Sequence, residues 1–505
     1  LKLVEIVRGP DTSDEALARA EDLCGRVLGK GLVRAKDAPN FIANRIGVFA
    51  MLRTLEVAAQ DGYTVEEVDM VFGPATGRPK SAVFRTADLV GIDTLVHVAK
   101  NCWDALPNDE RRDVFKVPAV AQELVGRKWL GSKTGQGFYK KQGDQILQLS
   151  FASMEYVPQS KPRFPSIGAT KGVDDVDERL RRMVGGEDRA SALARKVLFE
   201  TLIYAANRIP EIADDDVDVD RDRRWGFGWD RGPFETWDAL GVRETCAKMR
   251  AAGLTVPRWV EERVAAGEER FYQTDKPGQV RQLVPRGGYA PVPAEKPGIV
   301  LLDAIRAAGG EVERNASASI LDLGDGVFCL EFHSKLNSLD PDIVAMMDKA
   351  VARAERDGVA LVIGNDDPEK FCAGANLFSL LVALGQNNYD AVSKMVVDFQ
   401  NACMRTRYSQ VPVVAAPFGL ALGGGAEVVL GCPGIRANAE LYVGLVEVGV
   451  GLIPAGGGTM EMAARVAARA PDDPGFDLLP LVRPVFEALG TARVSTSAEE
   501  ARDLG

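Results

Sequence analysis

The sequence predicts a protein of several domains, in which two all-α units precede an α/β unit. At roughly 100–200 residues per domain, 505 residues should form about three compact units. A motif recurs within the first two thirds of the chain, and the last third changes to a strand, helix, strand pattern. These three observations define the predicted fold class.

The repeat predicts that the first two units are related. Residues 84–91 carry the pattern Phe-x3-Asp-x2-Gly, and residues 234–241 carry it again. Each copy follows a turn rich in Gly and Pro and precedes a Phe-Tyr pair, at 138–139 and at 271–272. We therefore expect two similar helical units that pack on one another.

Helical spacing of apolar residues supports that expectation. The spacing predicts helices over 41–60, ending before Gly62, over 87–105, and over 191–207. Segments rich in Pro, Gly and charge between the units predict linkers. The expected boundaries are helical units at 39–141 and 190–285, linkers at 142–189 and 286–317, and an α/β unit at 318–505.

The α/β unit is predicted from its first elements. Residues 318–332 alternate and are rich in strand formers, and Asp340 is a candidate N-cap with Pro341 at the first helical position. Gly358 should end that helix, and residues 359–363 should form a buried strand.

Composition excludes several function classes. The net charge is −11, with both signs mixed along the chain, which argues against nucleic acid or an anionic membrane as a partner. The most apolar stretch, 411–430, contains Pro, Gly and Glu427, which argues against membrane insertion.

Seven scattered cysteines predict a reducing, cytoplasmic location. With only His97 and His333, no metal site is expected.

Two glutamates form the candidate site. Residues 423–427 read Gly-Gly-Gly-Ala-Glu, and Glu447 follows Glu427 within a second glycine-rich apolar stretch. Carboxylates that share an apolar site tend not to ionise together, so the pair suits one acid and one base. Taken alone, the glycine turn is more typical of a tight helix–strand contact than of a catalytic site, and Glu427 is more typical of a solvated residue in a first helical turn.

Three motifs follow one another along the chain around this candidate site. Residues 371–375 (Phe-Cys-Ala-Gly-Ala), residues 423–427, and Glu447 ahead of residues 453–458 (Ile-Pro-Ala-Gly-Gly-Gly) closely resemble the crotonase (enoyl-CoA hydratase/isomerase) superfamily. The resemblance implies a ClpP/crotonase-like spiral fold for residues 318–505.

The resemblance also implies roles. Hydration of a 2-enoyl thioester places negative charge on the thioester oxygen, which two backbone N–H groups must face. The matching amides are those of Ala375 and Gly424. Glu427 would deprotonate the water that attacks C3, and Glu447 would deliver a proton to C2. Isomerase relatives usually keep only one of these carboxylates, so the pair favours a hydratase.

Two further residues are candidates for substrate binding. Ala373 belongs to the first motif and is expected at the acyl-CoA. Lys335 either meets a CoA phosphate or is an ordinary solvated lysine. Asn376 departs from the family, where many relatives carry Asp, but the neighbouring amide is the group required.

A second resemblance covers the front of the chain. Residues 1–9, 40–45, 77–91 and 131–139 resemble the L-3-hydroxyacyl-CoA dehydrogenase family. The resemblance implies that residues 1–38 are the C-terminal remnant of an NAD-binding Rossmann domain. It also implies that both helical units are of the C-terminal type of that family.

In that family a histidine takes the proton of the 3-hydroxyl group while hydride leaves to NAD. Glu5 matches the glutamate that orients this histidine, and Asn44 matches the substrate asparagine. The histidine itself belongs ahead of Leu1, and no G-x-G-x-x-G turn opens a strand-to-helix unit. We therefore expect that this chain does not oxidise 3-hydroxyacyl-CoA, and that it is a fragment truncated at both ends.

Together the segments resemble bacterial bifunctional β-oxidation proteins, in which hydration and NAD-dependent oxidation act on one CoA thioester. The resemblance implies acyl-CoA substrates and either a thiolase partner or self-association through the crotonase domain. Two alternatives stay open: an enoyl-CoA isomerase, and a non-catalytic module for acyl-CoA binding or assembly.

Overall fold

The computed structural model describes residues 2–276, 279–292, 299–367, 369–473 and 475–505. The chain divides into two compact units, Leu1–Ala294 and Glu295–Gly505.

The first unit opens with a crossover between two parallel strands. Strand β1 pairs with β2 in the register Leu3 to Gly31, and a helix with a π-helical last turn, Leu23–Val27, connects them. The elements are β1 (Leu3–Val7), α1 (Asp14–Asp22) and β2 (Gly31–Ala35).

The first helical segment largely follows its prediction. Its helices are α2 (Ala43–Gln60), α3 (Val65–Val71), α4 (Phe84–Val90), α5 (Ile92–Ala105) and α6 (Ala119–Gly126). Helix α2 ends before Gly62, which adopts a φ of 68°. The single helix expected over 87–105 is wrong, because Gly91 at a φ of 102° separates α4 from α5.

The segment predicted as a linker, 142–189, is instead folded. It contains most of a three-stranded antiparallel sheet and two helices, and Leu149 and Met183 are buried in the same core as α2. The short strands carry too little apolar alternation to be recognised in the sequence. These elements are β3 (Tyr139–Gln142), β4 (Gln145–Leu149), β5 (Tyr156–Pro158), α7 (Pro165–Thr170) and α8 (Val176–Gly185).

The second helical segment also ends in an antiparallel sheet, so the all-α prediction is wrong for both segments. The predicted helix over 191–207 is α9. The elements are α9 (Arg189–Asn207), α10 (Asp216–Phe227), α11 (Pro233–Leu240), α12 (Val242–Ala251), α13 (Arg258–Ala265), β6 (Tyr272–Lys276), β7 (Gln279–Leu283) and β8 (Tyr289–Pro291).

Both helical segments share one core. The rings of Phe49 in α2 and Tyr204 in α9 stack with centroids 3.9 Å apart. Arg45 of α2 donates to the Tyr204 hydroxyl at 2.6 Å and to Asp109 at 2.6 Å. This buried contact holds α2 against α9.

The repeated sequence motif makes the same hydrogen bonds in both of its copies. The carboxylate of Asp88 accepts the N–H groups of Phe138 and Tyr139 at 2.8 and 2.9 Å. In the second copy, Asp238 accepts those of the Phe-Tyr pair at 271–272 at 2.7 and 2.8 Å. The recurring Asp therefore ties each helix to the strand that the aromatic pair begins.

A second pair of carboxylates extends this repeat. Asp69 accepts the backbone N–H of Phe84 at 2.8 Å and the hydroxyl of Tyr139 at 2.9 Å. Asp220 does the same for Phe234 at 2.9 Å and for the hydroxyl of Tyr272 at 2.7 Å. Neither residue belongs to the recurring motif, so the sequence pattern does not predict this pair.

Removing the Asp88 carboxylate should destabilise the first unit. Asp88→Ala leaves the buried N–H of Phe138 and its neighbour without an acceptor, so we expect a loss of about 1–3 kcal/mol in the free energy of unfolding. Urea denaturation measures this loss. Asp144→Ala, in an exposed turn, is the control; equal effects of the two changes would contradict the assigned role.

The second unit is built on two sheets. One has six strands in the order β16-β14-β12-β11-β10-β9, and the other has three in the order β13-β15-β17. The strands are β9 (Glu311–Arg314), β10 (Ala318–Asp322), β11 (Val327–Phe332), β12 (Ala360–Ile363), β13 (Lys370–Cys372), β14 (Val413–Ala415), β15 (Gly419–Leu422), β16 (Gly434–Ile435) and β17 (Leu441–Gly444).

The helices of this unit include the one predicted from its caps. The Asp340 side chain accepts the N–H of Ile343 at 2.9 Å, with Pro341 at the first position and Gly358 at the end. The helices are α14 (Leu302–Ala307), α15 (Pro341–Asp357), α16 (Leu377–Gly385), α17 (Tyr389–Arg407), α18 (Gly424–Gly431), α19 (Gly458–Arg469), α20 (Leu479–Gly490) and α21 (Ala498–Asp503).

The linker predicted at 286–317 is also wrong in its described part. Strand β8, helix α14 and strand β9 lie within it, and β9 pairs with β10 at the edge of the six-stranded sheet. Residues 293–298 lie outside the described part of the chain.

Candidate active site

The glycine-rich turn brings the first turn of α18 against strand β13. Gly423 adopts a φ of 52°, which directs the chain from β15 into the helix. A Cβ on Gly425 would lie 2.7 Å from the Cβ of Cys372, so only glycine allows this approach. The residues after Cys372 therefore lie beside the helix N-terminus.

Two backbone amides face one space at this junction. Leu339 donates its N–H to the Gly374 carbonyl at 2.9 Å and accepts the Asn376 N–H at 2.8 Å. This bridge directs the N–H of Ala375, which lies between them, away from Leu339. A Cβ on Gly424 would lie 3.4 Å from the Ala375 nitrogen. Within the described ranges, neither the Ala375 nor the Gly424 amide has a protein acceptor.

Glu427 is buried and firmly held. Its Oε1 accepts the N–H groups of Gly456 at 2.8 Å and Gly458 at 2.9 Å. Burial raises the pKa of Glu427, and these donors, which favour the ionised form, offset only part of that rise. Both glycines belong to the motif of residues 453–458, but nothing in that motif predicts their contact with Glu427. A Cβ on Gly456 would lie 2.1 Å from Phe399 and 2.7 Å from the other Glu427 oxygen, Oε2.

Glu447 occupies a different environment. It begins a 3₁₀ turn, Glu447–Val450, and both of its carboxylate oxygens are buried without a partner in the part of the chain that the structure describes. Burial, with a further contribution from the charge of Glu427, raises the pKa of Glu447 to about 7. One carboxylate is therefore held by amide donors, and the other keeps its proton up to neutral pH.

One cavity of about 730 Å³ contains both glutamates and both amides. Its remaining wall is largely apolar, which suits a ligand with a hydrocarbon part. No spacing pattern in the sequence predicts the residues of this wall. Its larger apolar side chains include Leu339, Val344, Leu377, Leu380, Val392, Met395, Val396, Phe399, Val446, Val450, Leu452 and Ile453.

The two predicted substrate-binding residues differ in position. Ala373 lines the cavity and donates its N–H to the Leu336 carbonyl at 3.2 Å. Lys335 is exposed and lies outside the cavity lining. Asn376 caps α16, since its side chain accepts the Phe378 N–H at 3.1 Å.

In the first unit, Glu5 contacts the backbone at the start of α2, next to Asn44. The Glu5 Oε1 atom accepts the N–H groups of Ile42 at 2.8 Å and Ala43 at 3.1 Å, and Asn44 follows as an exposed residue. Burial and the charge of Glu5 raise the pKa of Asp222 to about 8. Asp222 was not predicted, because no motif marks it.

The crossover at the start of this unit does not fit NAD. Helix α1 begins after Ser13, whose hydroxyl accepts the Ala16 N–H at 3.2 Å, and Asp14 and Glu15 occupy its first turn. A pyrophosphate at this helix N-terminus would face two carboxylates and no glycine-rich turn. We therefore derive no hydride transfer from these residues.

Three properties of the described residues bear on other types of site. They contain no group of three or more His, Cys, Asp or Glu side chains placed to hold a metal ion. None of their helices combines the length and apolar character that crossing a membrane requires. All seven cysteines are free thiols.

The raised pKa of Glu447 predicts a dependence of stability on pH. The ordinary value is 4.5 and the folded value about 7, so the folded chain binds more protons between these values. The stability that protonated Glu447 contributes is present below pH 4.5 and is lost as the pH rises through 7.

Glu447→Gln should therefore raise the free energy of unfolding by about 1–2 kcal/mol at about pH 8 and leave it unchanged near pH 4.5. Solvent screening of this half-buried residue makes the effect smaller than the full shift implies. Urea denaturation at both pH values measures it, and an effect independent of pH would contradict the assignment.

Two family models match two separate stretches of the chain. Residues 41–141 match the family model for 3-hydroxyacyl-CoA dehydrogenase, C-terminal domain, and residues 322–471 match that for enoyl-CoA hydratase/isomerase. The chain is 42% identical over 504 residues to a probable 3-hydroxyacyl-CoA dehydrogenase of Bacillus subtilis (strain 168), covering 100% of this chain and 63% of that protein.

A second relative is a putative fatty acid oxidation complex trifunctional enzyme of Rickettsia felis, 26% identical over 483 residues, covering 92% of this chain and 60% of that protein. A crystal structure of enoyl-CoA hydratase from Bacillus anthracis matches with a TM-score of 0.32 and 23% identity, covering 37% of this chain and 67% of that chain. The chain spans 63% and 60% of the length of these two curated relatives. Residues 41–141 are therefore similar to the C-terminal domain of 3-hydroxyacyl-CoA dehydrogenases, and residues 322–471 are similar to enoyl-CoA hydratases/isomerases.

Proposed function

We propose that the second unit hydrates trans-2-enoyl-CoA to L-3-hydroxyacyl-CoA, a step of fatty-acid β-oxidation. The observation that carries this proposal is one cavity lined by two carboxyl groups in different environments and by two backbone amides that have no acceptor among the described residues. The family match of residues 322–471 supports it.

The geometry supports a balanced addition of water. The thioester oxygen accepts the N–H groups of Ala375 and Gly424, which stabilise the negative charge that develops there. Glu427, fixed through Oε1, accepts in its carboxylate form a proton from the water whose oxygen bonds to C3. Glu447 gives its proton to C2. Proton exchange with solvent then restores both carboxyl groups.

A labelled-water experiment tests the proposal against the isomerase alternative. Crotonyl-CoA incubated with this chain in ¹⁸O-water should give 3-hydroxybutyryl-CoA with one labelled oxygen at C3. An isomerase would instead convert a 3-enoyl-CoA to the 2-enoyl isomer without label. Label-free isomerisation, with crotonyl-CoA unchanged, would contradict the hydratase proposal.

We further propose that the first unit is the substrate-facing part of an NAD-dependent 3-hydroxyacyl-CoA dehydrogenase. The match of residues 41–141 and the Bacillus subtilis relative support this proposal. Within it, Glu5 would orient a histidine and Asn44 would contact the substrate. The whole protein would then hydrate and oxidise one thioester in succession, as a bifunctional bacterial β-oxidation protein does.

The misfit of α1 to a dinucleotide leads to an expected result. When NAD is added to this chain together with crotonyl-CoA, hydration should proceed and NADH should not form, because Asp14 and Glu15 occupy the helix N-terminus. The appearance of NADH absorbance would contradict this expectation.

We also propose a cellular location for the protein and a mode of association for its second unit. Seven free cysteines support a reducing cytoplasmic compartment. Exposed apolar side chains on α16 and α20, among them Phe378 and Phe486, support self-association of the second unit or a thiolase partner. Sedimentation of the chain alone distinguishes these, since self-association needs no added protein.

A further inference from the structure

Two buried arginines in the first unit lie against one indole ring. The guanidinium carbons of Arg78 and Arg223 are 4.0 and 4.5 Å from the ring centroid of Trp229. Arg78 is 8% exposed and Arg223 is 0% exposed. Two positive charges are therefore held together away from water.

Only some of the N–H groups of these two guanidinium groups have a hydrogen-bond acceptor in the described part of the chain. Arg223 donates through Nη1 to the Ala43 carbonyl at 2.6 Å, and Asp222 and Glu5 act on its charge. Its Nε and Nη2 atoms, and Nη2 of Arg78, are buried without an acceptor in the described part of the chain.

Arg78 is the more exceptional of the two. Among the described residues it has no carboxylate partner, and its guanidinium contacts the rings of Phe72 at 4.8 Å and Trp229. Burial lowers the pKa of Arg78 to about 9, and the charge of Arg223 contributes. A buried charge without a counterion is strongly unfavourable, so these buried N–H donors favour a small anion as their partner.

The space between them has the size of one small ion. A cavity of about 30 Å³ is lined by both arginines and by residues of α2, α10 and the turn before α4. That volume exceeds the minimum for one water-sized occupant. Gly47 lines it as well, and a Cβ there would lie 2.7 Å from Nη1 of Arg223 and 2.4 Å from Phe227. Glycine is therefore needed for the guanidinium to reach this position.

We propose that this cavity binds one small monovalent anion, of the size of chloride, between Arg78 and Arg223. The anion accepts the unpaired N–H groups and neutralises the charge that has no carboxylate partner. Because its contacts come from α2, α10 and the turn before α4, it stabilises the packing of the two helical segments. The argument for this site does not rest on either proposed activity.

Thermal unfolding of the full chain tests the site. In sodium chloride the midpoint of the transition of the first unit should rise with the logarithm of chloride concentration, by a few degrees relative to sodium gluconate at equal ionic strength, because gluconate is too large for the cavity. Arg78→Met should abolish the chloride dependence without lowering the midpoint in gluconate. Arg258→Met, which removes an exposed arginine of the same unit, should keep the dependence.

Crystals grown in bromide provide a readout that does not depend on any variant. An anomalous peak between Arg78 and Arg223 is expected. Equal midpoints in the two salts together with the absence of that peak would overturn the proposal and leave water as the occupant of the cavity.

Discussion

Glu427→Gln and Glu447→Gln should each lower kcat for hydration of crotonyl-CoA by about 10²–10⁴-fold. A glutamine at 427 can still accept the N–H groups of Gly456 and Gly458, so its position is kept, but it does not take a proton from water. A glutamine at 447 has no carboxyl proton to give. Both changes therefore remove a group that transfers a proton and leave the shape of the site unchanged.

The matched control is Glu369→Gln, which changes a carboxylate of the same unit that is 72% exposed and should leave kcat unchanged. Steady-state kinetics of the four proteins, with circular dichroism to verify folding, make the comparison. A single essential glutamate, with the other variant fully active, would contradict the two-carboxylate mechanism and favour an isomerase.

Gly424→Ala should lower kcat by about 10²–10³-fold, the usual cost of losing one oxyanion donor. Its new Cβ would lie 2.9 Å from Leu339 and 3.4 Å from the Ala375 nitrogen, in the space that the thioester oxygen must enter. The backbone φ of Gly424 is not in the left-handed region, so the effect is steric and local.

Gly490→Ala is the control for this change, because a Cβ at the end of α20 meets nothing within 4 Å. It tests whether a glycine-to-alanine change in a helix of this unit affects catalysis in general. Full activity of Gly424→Ala, or equal losses in both variants, would contradict the placement of the oxyanion at these amides.

Local signals predicted the elements whose determinants are adjacent in sequence. Asp340, Pro341 and Gly358 fix the ends of α15, because caps act within one helical turn. The motif of residues 423–427 likewise specifies a tight entry into α18, since a φ of 52° and the contact with Cys372 both require glycine. The repeated Asp of the first unit was visible as a pattern, although its partners were not.

Features that depend on contacts between distant segments were missed. The Gly456 and Gly458 amides reach Glu427 across about thirty residues, and no periodicity marks such a contact. Strands such as Tyr139–Gln142 are stabilised by backbone pairing with β4 and not by apolar alternation, so the segment after 141 was interpreted as a linker. Asp222 acts on Glu5 only because α10 packs near β1.

The most direct test of the hydratase site is the absorbance of the conjugated enoyl thioester when crotonyl-CoA is mixed with this chain. The absorbance should fall with time in proportion to the concentration of the chain, and the fall should be lost in the Glu427→Gln, Glu447→Gln double variant. An unchanged absorbance with the unsubstituted chain, together with tight binding of crotonyl-CoA, would contradict catalysis and identify the second unit as an acyl-CoA-binding module.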